Sequence, residues 1–317
     1  MSNSQAKLQA ASSPREVISQ AHRRFVIING DDFGFSSGVN RAIIEAHERG
    51  VLTSTSLMVT GQAFDEAVAL AQAHPKLAVG LHLVLGKGKA VLPPLQIPHL
   101  VDANGNFSNQ PNRAGLHYQL NPSARRELRL EIRAQLEKFR DTGLQLSHVD
   151  GHLHMHSHPV VLRALVELAD EFNIKVIRLP SEELRLTLDL DRDDLQSKLI
   201  WSFIFSGLRR YGERLLKSKG IGFAQRVYGL LETGRMTEAY LLGLIPQIRA
   251  DLVEIYSHPA IAITGEPTNG PLGLGQAELD ALLSDRVREM LVNSGFELTN
   301  YNNPEIRTVA GASVERS

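Results

Sequence analysis

The chain has 317 residues and a formal net charge of -1, so it has no overall positive field that would attract nucleic acid. It contains no cysteine, which excludes disulfides, thiolate metal ligands and cysteine nucleophiles and leaves histidine and carboxylates as candidate metal ligands. Hydrophobic residues make up 43% and charged residues 22%, which is typical of a soluble globular protein. This length suits one α/β barrel or two smaller domains.

The two ends of the chain differ from the rest in composition. Residues 1–23 are polar and lack the apolar centre of a secretory signal, so we expect a flexible tail and a cytoplasmic protein. No apolar run approaches the roughly 18–20 residues that span a bilayer. We predict a single domain over 24–303, followed by a C-terminal tail over 304–317.

Short apolar runs alternate with amphipathic stretches along most of the chain. Residues 25–28 are apolar and mostly β-branched, which predicts a buried strand, and Ser36 then suits the cap of a helix that ends near Arg49. Further strands are predicted at 52–59, 78–85, 146–149, 176–179, 227–231, 252–256 and 296–300. Helices are predicted at 64–73, 123–139, 160–172, 237–248 and 276–293. The alternation favours mostly parallel strands in an α/β fold, a distorted TIM-like barrel of seven or eight units, with an open doubly wound sheet as the alternative.

Two insertions interrupt this alternation. Residues 86–122 are rich in Gly, Pro and Asn and predict a long loop, and residues 180–222 form the second insertion. Within the second, 195–220 place aromatic and aliphatic residues ahead of a basic cluster, Arg209, Arg210, Arg214, Lys217 and Lys219. This composition favours an interfacial helix that holds the protein on the inner face of the cytoplasmic membrane and forms one wall of an apolar groove. Packing of the same apolar residues against the barrel is the alternative.

Carboxylates and imidazoles recur where the predicted strands end. The candidates are Asp31, Asp32, His82, Asp150, His152, His154, His156 and His258. A lone histidine in a strand is more often an ordinary core residue, but here four separate strand ends supply Asp or His. Because barrel active sites are assembled from carboxyl strand ends, we predict one shared site. One aspartate and two imidazoles leave coordination positions open, as a catalytic divalent metal requires.

The histidine-rich segment 148–158 follows the fourth predicted strand. If it is extended, alternate residues from Asp150 to His156 share one face, because side chains alternate along a strand. Only the one or two nearest the strand end then reach a metal shared with His82. The others, including Asp150, His154 and His156, are candidates to bind substrate, orient ligands or cap the next helix. Arg178, after the fifth predicted strand, is expected to bind substrate or to pair with a carboxylate.

Three motifs in order resemble the YdjC-like, or ChbG-like, carbohydrate deacetylase family. They are NGDDFGFSSGVNRAIIEAHERGVLTSTSLMV, VGLHLVL and HVDGHLHMHSHP. The likeness extends from residue 24 to about residue 300. It implies a fold similar to a TIM barrel and removal of N-acetyl groups from amino sugars with a divalent metal such as Zn²⁺ or Mg²⁺.

The resemblance also implies roles for five residues, carried over position by position. Asp32, His82 and His152 match the family's metal ligands. Asp31 matches its general base, and His258, in the sequence Ser-His-Pro, is the candidate general acid.

A narrower likeness points to one branch of that family. The stretches VLPPLQIPHLVDANGNF, FRDTGLQLSHVDGH and GLLETGRMTEAYLL resemble the hopanoid-biosynthesis branch HpnK, which implies an N-acetylglucosaminyl hopanoid, a glycolipid, as substrate. Asp150 and Gly151 depart from the Asn and Ala expected there and are closer to the oligosaccharide-acting members. The alternatives are a soluble chito-oligosaccharide deacetylase, a non-catalytic sugar- or metal-binding barrel, and a phosphoesterase.

Overall fold

The computed structural model describes residues 23–271, 273–304 and 306. Its strands are β1 (Arg24–Phe33), β2 (Ser54–Leu57), β3 (Ala78–Leu83), β4 (Leu146–Gly151), β5 (Arg226–Tyr228), β6 (Leu252–Ser257) and β7 (Phe296–Thr299). Its helices are α1 (Ser37–Arg49), α2 (Phe64–Ala73), α3 (Pro111–Leu120), α4 (Pro122–Arg140), α5 (Pro159–Leu168), α6 (Leu184–Leu190), α7 (Leu195–Lys217), α8 (Glu238–Leu244), α9 (Leu274–Leu283) and α10 (Asp285–Asn293). Two 3₁₀ segments cover His152–Ser157 and Ile245–Gln247. The predicted tails lie outside the described residues except at positions 23, 304 and 306.

The seven strands form one curled sheet in which every strand pair is parallel. The order is β4-β3-β2-β1-β6-β5, and β7 pairs with the first residues of β1. Beyond β4, single bridges from Val149 to Ile177 and from Val176 to Gly222 continue the sheet toward β5. This architecture confirms the predicted α/β fold, a distorted TIM-like barrel.

The central strand β1 is buried on both faces. Phe25 and Ile27 pack in a small cluster with Leu252 of β6 and with Tyr301, while Val26 and Ile28 belong to the main hydrophobic core. This alternation explains why the run is continuously apolar, since a parallel strand covered on both sides has no wet face. Asn29 and Asp31 continue the alternation of Phe25 and Ile27 into the carboxyl end of the sheet.

Three predicted elements differ from the structure. The fifth predicted strand, 176–179, is present only as isolated bridges. The first insertion is not entirely loop, because Pro111 begins the helix α3. The predicted helix 276–293 is divided at Ser284, whose hydroxyl accepts the Val287 N–H and caps α10. Among the described residues, none of the helices has the length and apolar composition needed to cross a membrane.

Candidate active site

The end of β1 presents two neighbouring aspartates to different partners. Asp32 has a left-handed backbone, with φ of 66°, which turns the chain sharply at this point. Asp is one of the few side chains other than Gly that adopt this conformation readily. Both carboxylates are buried. Asp32 faces two histidines, whereas Asp31 faces an arginine.

Asp32 lies at the centre of a cluster of potential metal ligands. Its Oδ1 is 3.3 Å from His82 Nε2 and 3.1 Å from His152 Nδ1. One ligand atom from each of these residues lies within 4.8 Å of the other two. The structure therefore brings together the aspartate and the two histidines that the sequence placed at three separate strand ends. An oxygen and two imidazole nitrogens suit Zn²⁺, and they leave positions open.

Hydrogen bonds behind His82 orient it toward this cluster. Its Nδ1 is 2.8 Å from Asp150 Oδ1, and Ser56 Oγ donates to the other oxygen of Asp150 at 2.7 Å. Burial alone lowers the pKa of His82, but the charge and hydrogen bond of Asp150 raise it to about 10. A carboxylate behind a histidine fixes the ring and increases the basicity of the outer nitrogen. Nε2 of His82 is thus set up to hold a positive charge, whether a proton or a divalent cation.

Burial raises the pKa of Asp32, yet His152 and His82 bring it well below its ordinary value. The carboxylate is therefore an anion in the folded protein. An anionic oxygen aimed at two imidazole nitrogens has the charge and the chemistry that a divalent metal site needs.

Arg178 joins three carboxylates in the interior of the barrel. Its guanidinium donates two hydrogen bonds of 2.8 Å to Asp31. It also lies 2.7 Å from Asp150 Oδ2 and 2.6 Å from Glu254 Oε1. Burial lowers the pKa of Arg178, but these carboxylates together raise it well above its ordinary value. Of the two predicted roles, pairing with carboxylates is the one this geometry favours, because the side chain is completely buried.

Asp31 borders the large cavity beside the metal cluster. Besides Arg178, it accepts a hydrogen bond of 2.8 Å from Asn29 Nδ2. Two donors on fixed elements hold the carboxylate in one orientation. It therefore faces the cavity as an oriented, charge-balanced acceptor.

The histidine-rich segment does not continue as a strand, so the prediction of a shared face is wrong. β4 ends at Gly151, and Leu153 and His154 both have φ of 54°, the left-handed region. These two residues kink the chain inside the segment His152–Ser157, so its side chains no longer alternate as in a strand. The histidines consequently point in different directions.

Each histidine of this segment has its own surroundings. His152 reaches Asp32, whereas His154 Nε2 lies 2.8 Å from the Tyr256 hydroxyl. His156 is buried, with Nε2 3.0 Å from the carbonyl oxygen of Arg178. Burial lowers the pKa of His156 to about 4 and that of His154 well below its ordinary value. Of the predicted substrate-binding residues, His154 borders the cavity, while His156 and Asp150 lie behind it.

His258 follows β6 and also borders the cavity. Its backbone N–H donates to Glu278 Oε2 at 2.5 Å, and its ring packs edge-on against Tyr256 at a centroid distance of 5.8 Å. Burial raises the pKa of Glu278 above its ordinary value, and the nearby His258 and backbone donors offset this only in part. The Glu278 carboxylate fixes the loop that carries His258.

Several residues of the site were not anticipated from the sequence. They are Asn29, Ser56, Glu254, Tyr256, Asn269 and Glu278. Glu254 had a usable signal, because a carboxylate inside the apolar run LVEIY requires a buried partner. Asn269, whose amide donates to Asp32 Oδ2 at 3.3 Å, had none. It lies in an irregular loop 237 residues away along the chain.

A cavity of about 880 Å³ opens above these residues. Its lining includes the polar strand ends and the apolar side chains Trp201, Ile204, Phe205 and Leu208 of α7. The basic cluster predicted to follow this apolar stretch is only partly at the surface. Arg209 is buried, and its guanidinium donates to the carbonyl oxygens of Leu179 and Ala224. Its predicted place among the exposed cations is therefore wrong.

The fold and the site together define an α/β-barrel protein with a buried aspartate–histidine centre at its carboxyl strand ends. The chain belongs to the YdjC-like protein family, whose family model matches residues 25–293.

Similar proteins agree with this assignment. A carbohydrate deacetylase of Brevibacillus brevis is 44% identical over 151 residues, which cover 48% of this chain and 58% of that protein. The chain thus spans just over half the length of that relative. A carbohydrate deacetylase of Vibrio cholerae is 30% identical over 87% of this chain and 95% of its own length. A crystal structure from Enterococcus faecalis, ascribed to cellobiose-phosphate cleavage, superposes with a TM-score of 0.67 at 26% identity and covers 88% of this chain and 98% of its own.

Proposed function

We propose that this chain is a hydrolase, a metal-dependent deacetylase that removes the N-acetyl group from an N-acetylglucosaminyl substrate. The observation that carries the proposal is the convergence of Asp32, His82 and His152 beside Asp31 at the floor of one cavity. The names of the similar Brevibacillus and Vibrio proteins support the reaction class.

Asp32, His82 and His152 would hold the divalent cation, Zn²⁺ or Mg²⁺. The donor set fits such an ion, because the Asp32 oxygen is anionic and Asp150 keeps the proton of His82 on Nδ1, away from the cluster. A divalent cation at this position supplies Lewis-acid polarisation of the acetamide carbonyl and acidifies water.

Asp31 would act as the general base. It accepts the proton of the attacking water, and Arg178 and Asn29 keep its carboxylate oriented while it does so. His258 would donate a proton to the departing amine, which turns a poor leaving group into a neutral one. Tyr256 and Glu278 position the ring and the backbone of His258.

The substrate we propose is lipid-linked, an N-acetylglucosaminyl hopanoid. Support comes from the apolar wall of the cavity, where Trp201, Ile204 and Phe205 face the polar strand ends. A sugar would occupy the polar side, and an apolar aglycone would lie along α7. A free chito-oligosaccharide would leave that wall in contact with water, at a cost proportional to its area.

We further propose that the enzyme attaches peripherally to the membrane through 195–220. The first half of α7 exposes a set of large apolar side chains, Leu195, Leu199, Ile200, Trp201, Phe203 and Ile204. Phe203 is 79% exposed. Exposed apolar patches of this kind mark interaction sites. An interfacial helix would place them among acyl chains.

Acetate release tests the reaction and the substrate together. The purified protein is incubated with an N-acetylglucosaminyl hopanoid and, separately, with chito-oligosaccharides, before and after chelation and after addition of Zn²⁺ or Mg²⁺. We expect chelator-sensitive release that is faster on the glycolipid. Chelator-resistant release would contradict the metal, and faster release from the oligosaccharide would contradict the lipid.

A further inference from the structure

A groove lined by arginines lies between α4 and α5, outside the aspartate–histidine centre. We call it the arginine groove. It has a volume of about 270 Å³, and its cationic lining residues are Arg125, Arg126, Arg129 and Arg163. All four are exposed. Glu167 is the only carboxylate among the described residues that line it.

Most of the positive charge in the arginine groove is not neutralised. Arg129 pairs with Glu167 at 2.5 Å. Among the described residues, the other three arginines hydrogen-bond to uncharged groups: a backbone carbonyl for Arg125, the Ser123 hydroxyl for Arg126 and the Tyr211 hydroxyl for Arg163. Arg163 also interacts with the charge of Glu167, the carboxylate that pairs with Arg129. Hydrogen bonds to neutral oxygens orient a guanidinium without cancelling its charge. The groove is therefore a convergent cationic surface.

The arginine groove is continuous with an exposed apolar surface at the mouth of the large cavity. Gln119 of α3 lines both the groove and the cavity. On either side of it along α3, Leu116 and Leu120 are 61% and 68% exposed. Leu116 also shares the cavity lining with Trp201 of α7. We call the exposed apolar residues of α3 and of the first half of α7 the apolar ridge; they are Leu116, Leu120, Leu199, Ile200 and Phe203.

We propose that the arginine groove binds the phosphates of anionic phospholipids while the apolar ridge enters the acyl region. This inference rests on the proposed membrane attachment and assigns its electrostatic part to α4 and α5. Guanidinium groups recognise phosphate oxygens through paired hydrogen bonds, which suits a groove that presents several of them. A lipid surface is also the occupant that keeps the cavity accessible, because it can deliver a substrate through the same mouth. A second copy of the chain on the ridge would cover that mouth.

Vesicle sedimentation tests the proposal, with phosphatidylcholine vesicles that contain or lack phosphatidylglycerol. The test variant is Arg126→Gln combined with Arg163→Gln. The control, Arg41→Gln combined with Arg249→Gln, removes the same charge from exposed arginines of α1 and of the segment before β6. Each basic residue at an anionic surface contributes about 1 kcal/mol, so the test variant should partition roughly 30-fold more weakly to anionic vesicles. The control should bind like the wild type.

Three results would overturn the proposal. These are equal loss of binding in the test and control variants, unchanged binding in the test variant, and wild-type binding that does not depend on phosphatidylglycerol. A fourth result would also overturn it. This result is a dimer, seen by sedimentation equilibrium without lipid, that the substitution Phe203→Ser dissociates.

Acetate release from a soluble N-acetylglucosaminyl oligosaccharide separates this proposal from the proposed deacetylase. The test variant should keep the wild-type rate, because its two arginines lie outside the catalytic cluster. A wild type with no deacetylase activity but with the expected vesicle pattern would refute the function and leave the groove assignment standing. The reverse pattern would refute the groove alone.

Discussion

The carboxyl strand ends and the first half of α7 line one cavity, yet their side chains differ in exposure and in the partners that they have. At the strand ends, Asp31, Asp32 and Asp150 are buried, and each has at least two polar partners. On α7, large apolar side chains such as Ile200 and Phe203 are 58% and 79% exposed. The carboxylates at the strand ends find their hydrogen-bond and ion-pair partners within the fold itself. The outer face of α7 is left exposed by the described residues.

The difference has a physical basis in what each region must do. A buried carboxylate without a partner costs several kcal/mol, so a catalytic cluster must be satisfied before substrate arrives. Exposed apolar surface costs less per residue and can be kept for a partner or a lipid. We therefore expect substitutions at the strand ends to affect chemistry strongly, and substitutions on the exposed face of α7 to affect association alone.

The largest expected effect comes from His82→Ala at the strand ends. Removing one of three ligands should lower the bound Zn²⁺ or Mg²⁺ and abolish acetate release. Metal analysis of the purified protein and an acetate assay measure the two effects. His117→Ala, in an exposed residue of α3, is the matched control. Normal metal content and turnover in His82→Ala would exclude the proposed centre.

Asp31→Asn separates proton transfer from metal binding within the same region. The amide keeps the size of the carboxylate but cannot accept a proton, so turnover should fall by about 10²–10⁴-fold while metal content stays at the wild-type level. Single-turnover acetate release, with metal analysis of the same sample, checks both parts. A loss below tenfold in a folded, metal-loaded protein would contradict the role as base.

Two phenylalanines of α7 allow a buried and an exposed side chain to be compared within one helix. Phe205 is 8% exposed and Phe203 is 79% exposed. Phe205→Ala should cost about 1.5–3 kcal/mol of unfolding free energy, because it gives up the burial of a ring that packs against His154 and Trp201. Phe203→Ala should change it by less than about 0.5 kcal/mol. Urea unfolding of both variants measures the difference, and similar costs would mean that Phe203 is packed in solution.

The last expected effect concerns pH and the buried His156. Its pKa is lowered to about 4 from 6.5 chiefly by burial, so between these values the unfolded chain binds more protons than the folded protein. Stability should therefore fall as the pH drops from about 6.5 to about 4, by at most about 3 kcal/mol from this residue. Urea unfolding across this range should give a shallower pH dependence for His156→Gln than for the wild type. The exposed His117→Gln should keep the wild-type slope, and an unchanged slope in His156→Gln would count against a buried neutral imidazole.

Much of the fold was predictable because its signals are local. The apolar run that begins β1, the cap at Ser36 and the alternation of strands and helices each depend on neighbours within a few residues. The same local signals placed Asp32, His82 and His152 at strand ends, and parallel topology then brings such ends to one edge of the sheet. The fold class and the meeting of Asp and His side chains at one site follow from the sequence for this reason, whereas the choice of Asp32, His82 and His152 as the ligand set came from the family resemblance.

Other features depended on contacts between distant parts of the chain. Arg178 meets Asp31 across 147 residues, and no local pattern indicates which carboxylate a buried arginine will pair with. The left-handed turn at Leu153 separates the histidines that an extended chain would have aligned.

The arginine groove is a surface feature that local sequence patterns likewise do not predict. It forms only because α4 and α5 lie side by side, which helical periodicity does not predict. Sequence periodicity determines which residues face inward, whereas the partners that they meet are decided by the packing of the barrel.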